Sequence, residues 1–165
     1  MLSDLVGLLY AGLALTDAGI KVIEFNARFG DPETQVLIPR LMTPLAAILY
    51  KAATNALDDE VLQWKDESAV TVVLAAEGYP HSVKTGGEIS GISNLADTYI
   101  FHAGTTRKDG ALLSSGGRVI TATGMGADLS AARDSAYRAI SAIELTGSFY
   151  RSDIALTASI TEKVN

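Results

Sequence analysis

Cysteine is absent from this chain of 165 residues, and histidine occurs only twice. Without cysteine there is no disulfide, no thiolate zinc site and no cysteine nucleophile, so a disulfide-stapled extracellular fold finds no support. Basic residues are also scarce, because 13 Lys and Arg stand against 19 Asp and Glu, a formal charge of -6. Phosphate contacts need clustered cations, so this balance argues against a nucleic-acid partner. The composition favours a cytoplasmic protein.

A long hydrophobic run is missing as well. The longest apolar stretch, Leu5 to Leu15, is too short to span a membrane and contains Gly7 and Gly12. No Lys or Arg precedes it, and Asp4 stands where a signal peptide carries positive charge. The sequence therefore predicts no membrane segment and no signal peptide, and a buried strand is expected in Leu5 to Leu15.

The amino-terminal region has the pattern of a β-hairpin. Leu5 to Thr16 and Lys21 to Phe25 are rich in apolar and β-branched residues, and they flank Asp17-Ala18-Gly19-Ile20. The glycine of that tetrapeptide supplies the positive φ that a tight turn requires. If the second strand is regular, Ile23 and Phe25 face a core.

Two helices are predicted after the hairpin. Pro32 suits the first position of a helix, with Asp31 before it as the N-cap, and Pro39 is expected to end that helix early. The second helix is predicted from Pro44 to about Ala56, capped by Thr43. The acidic segment that follows, Asp58-Asp59-Glu60 through Lys65-Asp66-Glu67, is typical of a solvated connection between two units.

The carboxy-terminal region changes to strands, turns and one clear helix. Ala69 to Ala76 is predicted to be a strand, and glycine pairs such as Gly86-Gly87 and Gly116-Gly117 separate further short strands. Asp128 is the predicted cap of a helix whose apolar residues recur at helical spacing. The expected inward set is Leu129, Ala132, Ala136, Ala139, Ile140 and Ile143, with Arg133, Asp134, Arg138 and Ser141 outward. The predicted fold class of this region is α+β.

The densest concentration of chemistry lies in residues 24–35, which read EFNARFGDPETQ. On a regular strand Glu24, Asn26 and Arg28 project from the same face. A carboxylate and an amide oxygen suit a hard cation such as Mg²⁺, and a guanidinium beside them suits phosphate. From spacing alone, however, the favoured explanation of Glu24 and Asn26 is a pair of polar residues on the wet face of a strand, and the alternative for Arg28 is a surface ion pair with Asp31 or Glu33.

The same run resembles the signature of the phosphoribosylamine-glycine ligases, also called glycinamide ribonucleotide synthetases, ATP-grasp enzymes of purine biosynthesis. Five further segments resemble this family and follow its order along the chain. They are LYAGLALT (residues 9–16), VVLAAEGYPHSVKTGGEISGI (72–92), FHAGT (101–105), GGRVITATGMG (116–126) and FYRSDI (149–154).

The resemblance covers the carboxy-terminal part of the family's longer chain. It implies the terminal hairpin and helices of an ATP-grasp domain in residues 1–57, followed by a small mixed α+β carboxy-terminal domain in residues 65–165. The amino-terminal domain and the subdomains that clamp ATP have no counterpart in this sequence. We therefore expect the chain to need that missing part as a partner, and an exposed seam at residues 5–25 to self-associate in its absence.

The resemblance also implies a reaction and its site. The parent reaction joins glycine to 5-phosphoribosylamine with hydrolysis of ATP, through a glycyl phosphate. Glu24 and Asn26 match the family's ligands for Mg²⁺ (or Mn²⁺), and Arg28 is expected to be catalytic, neutralising charge on the transferring phosphoryl group. Gly30-Asp31-Pro32-Glu33 is expected to bind substrate as well as to form a turn and helix cap, because N–H groups at a helix start attract anions.

Other polar features have plainer explanations. His81 and His102 have no acid, serine or cysteine at triad-like spacing, so surface or loop positions are predicted for both, although His102 belongs to the family-like FHAGT segment. Gly124-Met125-Gly126 is interpreted as a turn and helix cap, and Arg151 with Asp153 as an ordinary ion pair.

Two alternatives to the ligase remain at this stage. One is another ATP-grasp carboxylate-amine ligase, against which the RFGDPE sequence and the later matched segments argue. The other is a noncatalytic docking module, which the absent nucleotide clamp favours.

Overall fold

The computed structural model describes residues 5–58, 60–92 and 98–162. It is a mixed α+β structure, as predicted, and the chain forms two compact units. The first comprises Met1–Thr34 and Leu41–Lys65, and the second comprises Gln35–Arg40 and Asp66–Asn165. Among the described residues, no helix is both long enough and apolar enough to cross a membrane.

The elements follow one another along the chain in a simple order. The first unit holds strands β1 and β2 and helix α2, and helix α1 begins at its residue Thr34. The second unit holds the remaining strands and helices. The bounds are β1 (Tyr10–Thr16), β2 (Gly19–Asn26), α1 (Thr34–Arg40), α2 (Leu45–Ala53), β3 (Ser68–Ala75), β4 (Thr98–His102), β5 (Thr105–Lys108), β6 (Ala111–Ser114), β7 (Arg118–Gly126), α3 (Leu129–Ser141) and α4 (Leu156–Glu162).

Strands β1 and β2 form the predicted antiparallel hairpin, and Gly19 has the expected positive φ of 90°. The hairpin is not regular, because its register shifts between Gly12 and Leu13 and leaves Ile23 without a paired Cα on β1. With the extra residue on β2, apolar residues of the two strands pair on one face of the hairpin. The cross-strand pairs on that face are Ala11 with Phe25, Leu13 with Val22, and Leu15 with Ile20.

The predicted burial of this hairpin is wrong for the chain as it stands. Leu15 is 87% exposed, Ile23 71% and Phe25 61%, so neither Ile23 nor Phe25 faces a core within the first unit. A two-stranded hairpin needs a third strand or a packed helix to bury such a face. The apolar alternation therefore does not mark a core within the described part of this chain.

Helix α1 begins later and ends later than predicted. Residues 31–33 form a turn with a cis peptide between Asp31 and Pro32, and the helix starts at Thr34. Pro39 lies inside the last turn of this helix and is buried. Proline lacks the N–H that would bond to the carbonyl four residues earlier, and the helix ends one residue later, at Arg40. The predicted cap at Asp31 and first helical position at Pro32 are therefore wrong.

Helix α2 also differs from its prediction at the start. Pro44 is its N-cap residue, without a side-chain capping bond, and the Thr43 hydroxyl instead accepts a hydrogen bond from the Gln63 N–H at 2.7 Å. In the acidic segment after the helix, Glu60 is not simply solvated, because it forms an ion pair with Lys51 of α2. Asp59 lies outside the described residues.

The core of the second unit lies between a three-stranded antiparallel sheet and helix α3. The strand order is β3-β7-β4, so β7 is central, and seven of its nine residues are buried. Helix α3 packs on this sheet and buries its alanine-rich face, as the helical spacing predicted. Strands β5 and β6 form a separate two-stranded sheet joined through Asp109 and Gly110, which both have positive φ.

Side chains fix the start of helix α3 and attach the carboxy-terminal segment to the helix. Asp128 caps it as predicted, since its carboxylate accepts a hydrogen bond from the Ala131 N–H at 2.7 Å. Arg133, predicted to face outward, is half-buried: its guanidinium donates to the carbonyls of Ile154 (3.0 Å) and Ser152 (2.6 Å). Its guanidinium carbon also lies 4.4 Å from the centre of the Tyr137 ring. Arg133 therefore anchors the carboxy-terminal segment onto the helix.

The predicted ion pair near the carboxy terminus is present. Arg151 donates to both oxygens of Asp153, at 2.9 and 2.6 Å. These hydrogen bonds hold the pKa of the Asp153 carboxyl below its ordinary value. Both side chains are more than half exposed, so the pair is expected to contribute little to folding stability.

Candidate metal and substrate site

The two predicted metal ligands lie together at the end of β2. Asn26 Nδ2 donates a hydrogen bond of 2.9 Å to Glu24 Oε1. The bond uses the amide nitrogen, so the amide oxygen Oδ1 remains an acceptor. Glu24 is exposed and Asn26 is half-buried, which leaves the carboxylate accessible from solvent. The structure thus brings a carboxylate and an amide within contact on one strand face.

The facing strand leaves room for these side chains. Gly12 is the cross-strand partner of Glu24, and Tyr10 is the partner of Asn26. A Cβ placed on Gly12 would lie 3.1 Å from Glu24 Cγ and 3.6 Å from Tyr10 Cε1. The Glu24 side chain and the Tyr10 ring therefore both lie next to Gly12, where a larger residue would crowd them.

Arg28 lies beyond the end of the strand. Strand β2 ends at Asn26, so the regular alternation that placed Arg28 on the face of Glu24 does not extend that far. The Arg28 side chain is exposed, and its Nη1 donates to the Phe29 carbonyl at 2.8 Å. This guanidinium stands on the loop between the strand and the turn of residues 30–33.

The turn that follows is closed by two hydrogen bonds to one carbonyl. Both the N–H of Thr34 (3.2 Å) and its hydroxyl (2.5 Å) donate to the Gly30 carbonyl. Glu33 folds back over Gly30, because a Cβ placed on Gly30 would lie only 2.4 Å from Glu33 Oε2. The sequence had suggested Glu33 as a partner of the helix start or of Arg28. In the structure, Glu33 packs against the turn itself.

Tyr10 is a member of this cluster that the sequence reasoning missed. Its ring lies beside Gly12, across from the Glu24 side chain. The pKa of Tyr10 is raised above its ordinary value, first by desolvation and then by interaction with the carboxylates of Glu33 and Glu24. Two carboxylates thus lie near one phenol, on the strand face that holds Asn26.

The two oxygen donors fit a magnesium ion whose other ligands are phosphate oxygens and water. Within the described part of the chain, His, Asp and Glu residues nowhere gather in threes to form a complete metal cage. Mg²⁺ is usually held by one or two carboxylates together with substrate phosphates and water, so a full protein cage is not required. Glu24 and Asn26 provide an oxygen pair of this kind.

The remaining polar features singled out in the sequence lie on the surface or within the sheet. His81 and His102 are exposed, as predicted, and His102 Nδ1 lies 3.2 Å from the Thr105 hydroxyl. The interpretation of Gly124-Met125-Gly126 as a turn is wrong, because all three residues belong to strand β7. Their glycines instead allow helix α3 to approach the sheet, since a Cβ on Gly124 would lie 2.3 Å from the Ala136 nitrogen.

Comparison with known families assigns the two regions separately. Residues 69–157, more than half of the chain, match the family model described as phosphoribosylglycinamide synthetase, C domain. The chain belongs to this family. Residues 2–34 match the ATP-grasp (A) domain model of the same synthetase, and they contain β1, β2 and the whole cluster around Glu24.

Individual relatives of the synthetase family agree with this assignment. The chain is 55% identical over 159 residues to the phosphoribosylamine-glycine ligase of Streptomyces coelicolor, a match that covers 93% of this chain and 38% of that protein. It is 52% identical over 159 residues to the ligase of Mycobacterium tuberculosis, covering 95% of this chain and 37% of that protein. The chain therefore spans a little over a third of the length of these relatives.

A solved synthetase structure shares the fold. The crystal structure of the phosphoribosylamine-glycine ligase from Thermotoga maritima is 36% identical to this chain, with a TM-score of 0.74. The match covers 89% of this chain and 36% of that structure. The similarity of fold thus extends over nearly all of this synthetase-family chain and about a third of the solved enzyme.

Proposed function

We propose that this chain is the carboxy-terminal part of a phosphoribosylamine-glycine ligase, the ATP-dependent enzyme that joins glycine to 5-phosphoribosylamine. Residues 1–57 complete the ATP-grasp domain, and residues 65–165 form the carboxy-terminal domain. The observation that carries this proposal is the contact between Glu24 and Asn26 inside the segment that matches the ATP-grasp domain. A cytoplasmic location, which the acidic, cysteine-free composition favours, goes with the proposal.

Glu24 and Asn26 are the proposed ligands of the metal. The Glu24 carboxylate and the Asn26 amide oxygen hold Mg²⁺, or Mn²⁺ in its place. The ion would supply positive charge to the phosphate oxygens of ATP as they accumulate negative charge. Because both side chains project from a paired strand, their positions are set by the hairpin before any ligand binds.

Arg28 and the turn are the proposed contacts for the reacting groups. Glycine is a poor electrophile until its carboxylate is phosphorylated, and that step concentrates negative charge on the transferring phosphoryl group. The Arg28 guanidinium, exposed on the loop, neutralises this charge. The substrate lies next to Arg28 and is bordered by the turn of Gly30, Asp31, Pro32 and Glu33. None of these roles requires a covalent enzyme intermediate, which agrees with the absence of a cysteine nucleophile.

The isolated chain is expected to show no steady release of ADP, whereas a chimera should be active. In the chimera, this chain replaces the matching part of the Streptomyces coelicolor ligase, so the missing clamp can position ATP. ADP release is measured with glycine and phosphoribosylamine present, and with each omitted in turn.

The outcomes of this comparison separate the alternatives. Activity that requires both substrates supports the ligase. Activity of the chimera with a different amine or carboxylate points to another ATP-grasp ligase. A correctly folded chimera without any turnover points to a noncatalytic docking module and contradicts the proposed function.

The apolar face of the hairpin is the proposed contact with the missing part of the ATP-grasp domain. Leu13, Leu15, Ile20, Val22 and Phe25 are all more than half exposed and lie on the paired face described above. In the isolated chain this face, together with unpaired strand edges, is expected to drive pairing with a second copy.

Light scattering over a concentration series tests this expectation. The isolated chain should approach the mass of a dimer or larger species, and Leu15→Lys should shift it toward the monomer. Glu67→Lys, at an exposed position outside the hairpin, is the control for added positive charge. A clean wild-type monomer at high concentration contradicts the proposed contact.

A further inference from the structure

One glycine of the hairpin lies inside a strand rather than at the turn. Gly12 is in the middle of β1, where glycine weakens a strand because it adds flexibility and packs no side chain. It is also the one residue of strands β1 and β2 that is buried. Apart from its chain neighbours, the heavy atoms nearest to the position of its missing Cβ belong to Glu24 and Tyr10. The side chains of these two residues therefore cover Gly12.

The bulge in β2 brings Glu24 opposite this glycine. Between the turn and Leu13 the register is regular, and without the bulge it would continue so that Glu24 paired with Ala11. The unpaired Ile23 instead places Glu24 opposite Gly12. Bulges re-aim side chains in this way and are frequent next to active sites. The proposed metal ligand thus faces a position of β1 that has no side chain.

The space at Gly12 is tight for Glu24 in particular. A Cβ there would lie 3.1 Å from Glu24 Cγ, closer than the optimal distance between carbon atoms, whereas 3.6 Å to Tyr10 Cε1 is an ordinary contact. An added methyl group would therefore displace the Glu24 side chain and leave the Tyr10 ring where it is. The hydrogen bond that Glu24 Oε1 accepts from Asn26 Nδ2 at 2.9 Å depends on the present position of that side chain.

From this geometry we infer that Gly12 is a positioning residue for Glu24, because the missing side chain lets the carboxylate lie against Asn26 in the arrangement proposed to bind the metal. Gly12 touches neither the metal nor the reacting groups and acts through Glu24. The inference deepens the proposed function and rests on it for the role of the metal. The placement of Glu24 is a property of the chain and can be measured without a metal.

The first test measures that placement in this chain by nuclear magnetic resonance. The side-chain amide protons of Asn26 report the hydrogen bond to Glu24, and Glu24→Ala gives their chemical shifts without it. In Gly12→Ala these shifts should move most of the way to the Glu24→Ala values, while the main-chain amides of the β1–β2 ladder stay protected. Ala14→Ser is the matched control, because it also adds one heavy atom on the same face of β1, two residues along.

The second test measures Mn²⁺ binding to the chimera with the Streptomyces coelicolor ligase in the presence of ATP. Gly12→Ala should bind Mn²⁺ about tenfold more weakly than wild type with an unchanged thermal midpoint, the scale of disturbing a residue that orients a metal ligand. Ala14→Ser should bind it like wild type. If Gly12 acts through Glu24, adding Gly12→Ala to Glu24→Gln should cause no further loss of affinity.

The outcomes distinguish this inference from the proposed function. Wild-type Asn26 shifts in Gly12→Ala overturn the inference and leave the ligase intact. A further loss of Mn²⁺ affinity in the double variant overturns action through Glu24. Lost protection across the hairpin or a lowered thermal midpoint in Gly12→Ala overturns it too, because Gly12 then serves the backbone alone. If Glu24→Gln leaves Mn²⁺ affinity unchanged while Gly12→Ala still moves the Asn26 shifts, the proposed metal site fails and the placement of Glu24 by Gly12 stands.

Discussion

Glu24→Gln in the chimeric enzyme is expected to lower turnover by on the order of a hundredfold or more and to raise the magnesium concentration needed for half-maximal rate. The substitution preserves size and hydrogen bonding to Asn26 but removes a formal charge from the metal shell. A catalytic metal contributes several kcal/mol to the stabilisation of transition-state charge, and each 1.4 kcal/mol is tenfold in rate, which sets this scale. Steady-state rates across a magnesium titration measure both quantities.

Two companion variants of the site should show different signatures. Asn26→Asp adds a charge to the same shell, so it should also shift the metal requirement and lower turnover. Arg28→Lys keeps the charge but loses the planar fork, so its effect should fall mainly on kcat, where phosphoryl charge is greatest.

Matched controls are available at exposed positions outside the hairpin sequence. Glu67→Gln makes the same chemical change as Glu24→Gln, and Arg138→Lys on the outer face of α3 matches Arg28→Lys. If Glu24 and Asn26 are only polar residues on a solvent-exposed strand face, the turnover of their variants will depend on magnesium concentration as the turnover of these controls does. That result would remove the metal-site assignment.

Gly124→Ala is expected to destabilise the second unit by about 3 kcal/mol or more, at the upper end of overpacking effects. The new Cβ would lie 2.3 Å from both the Ala132 carbonyl oxygen and the Ala136 nitrogen, and 2.8 Å from Ser135 Cβ. Two of these three neighbours are backbone atoms of α3, so no rotamer change relieves the clash. The helix would have to move away from β7, losing burial of Ala132, Ala136 and Ile140.

Urea unfolding followed by circular dichroism measures this loss. Gly87→Ala is the contrasting variant, because the Cβ there would meet Leu145 Cδ1 at 2.7 Å, the flexible end of a side chain. It should cost distinctly less. Equal unfolding midpoints for wild type and Gly124→Ala would show that the helix does not depend on this close approach.

The sequence predicted correctly those parts of the fold that depend on interactions between residues close together in the chain. Helix α3 was predicted with its cap because Asp128 and the alanine spacing act within one element. The hairpin was predicted from its turn residues, and the clustering of Glu24 with Asn26 followed from the two-residue period of a strand.

The errors arise where another part of the chain decides the geometry. A regular two-residue hairpin would place Tyr10 opposite Phe25, and only the bulge at Ile23 places it opposite Asn26. Nothing local in the sequence marks that bulge, so Tyr10 was missed. Thr43 was predicted as a cap, but its hydroxyl is taken by the distant Gln63 N–H. Gly124 looked like a turn residue, although packing against α3 requires it within a strand.

The burial of the hairpin could not be predicted correctly for a different reason. Apolar alternation indicates that a face is covered, but it does not say by which part of a protein. Leu13, Leu15 and Phe25 carry that signal and are exposed here. Their partner is proposed to lie in the part of the ATP-grasp domain that the matched relatives have in addition to the region this chain spans.

The most direct test of the proposed site is metal binding to the chimeric enzyme in the presence of ATP. The resonance signal of free Mn²⁺ falls as the ion binds, so electron paramagnetic resonance, after subtraction of the signal lost to ATP alone, counts the ions bound to wild type, Glu24→Gln and Glu67→Gln. We expect wild type and Glu67→Gln to bind Mn²⁺ with the same affinity and Glu24→Gln to bind it roughly tenfold or more weakly, the scale of losing one charged ligand. Indistinguishable Mn²⁺ affinity in all three would contradict the account.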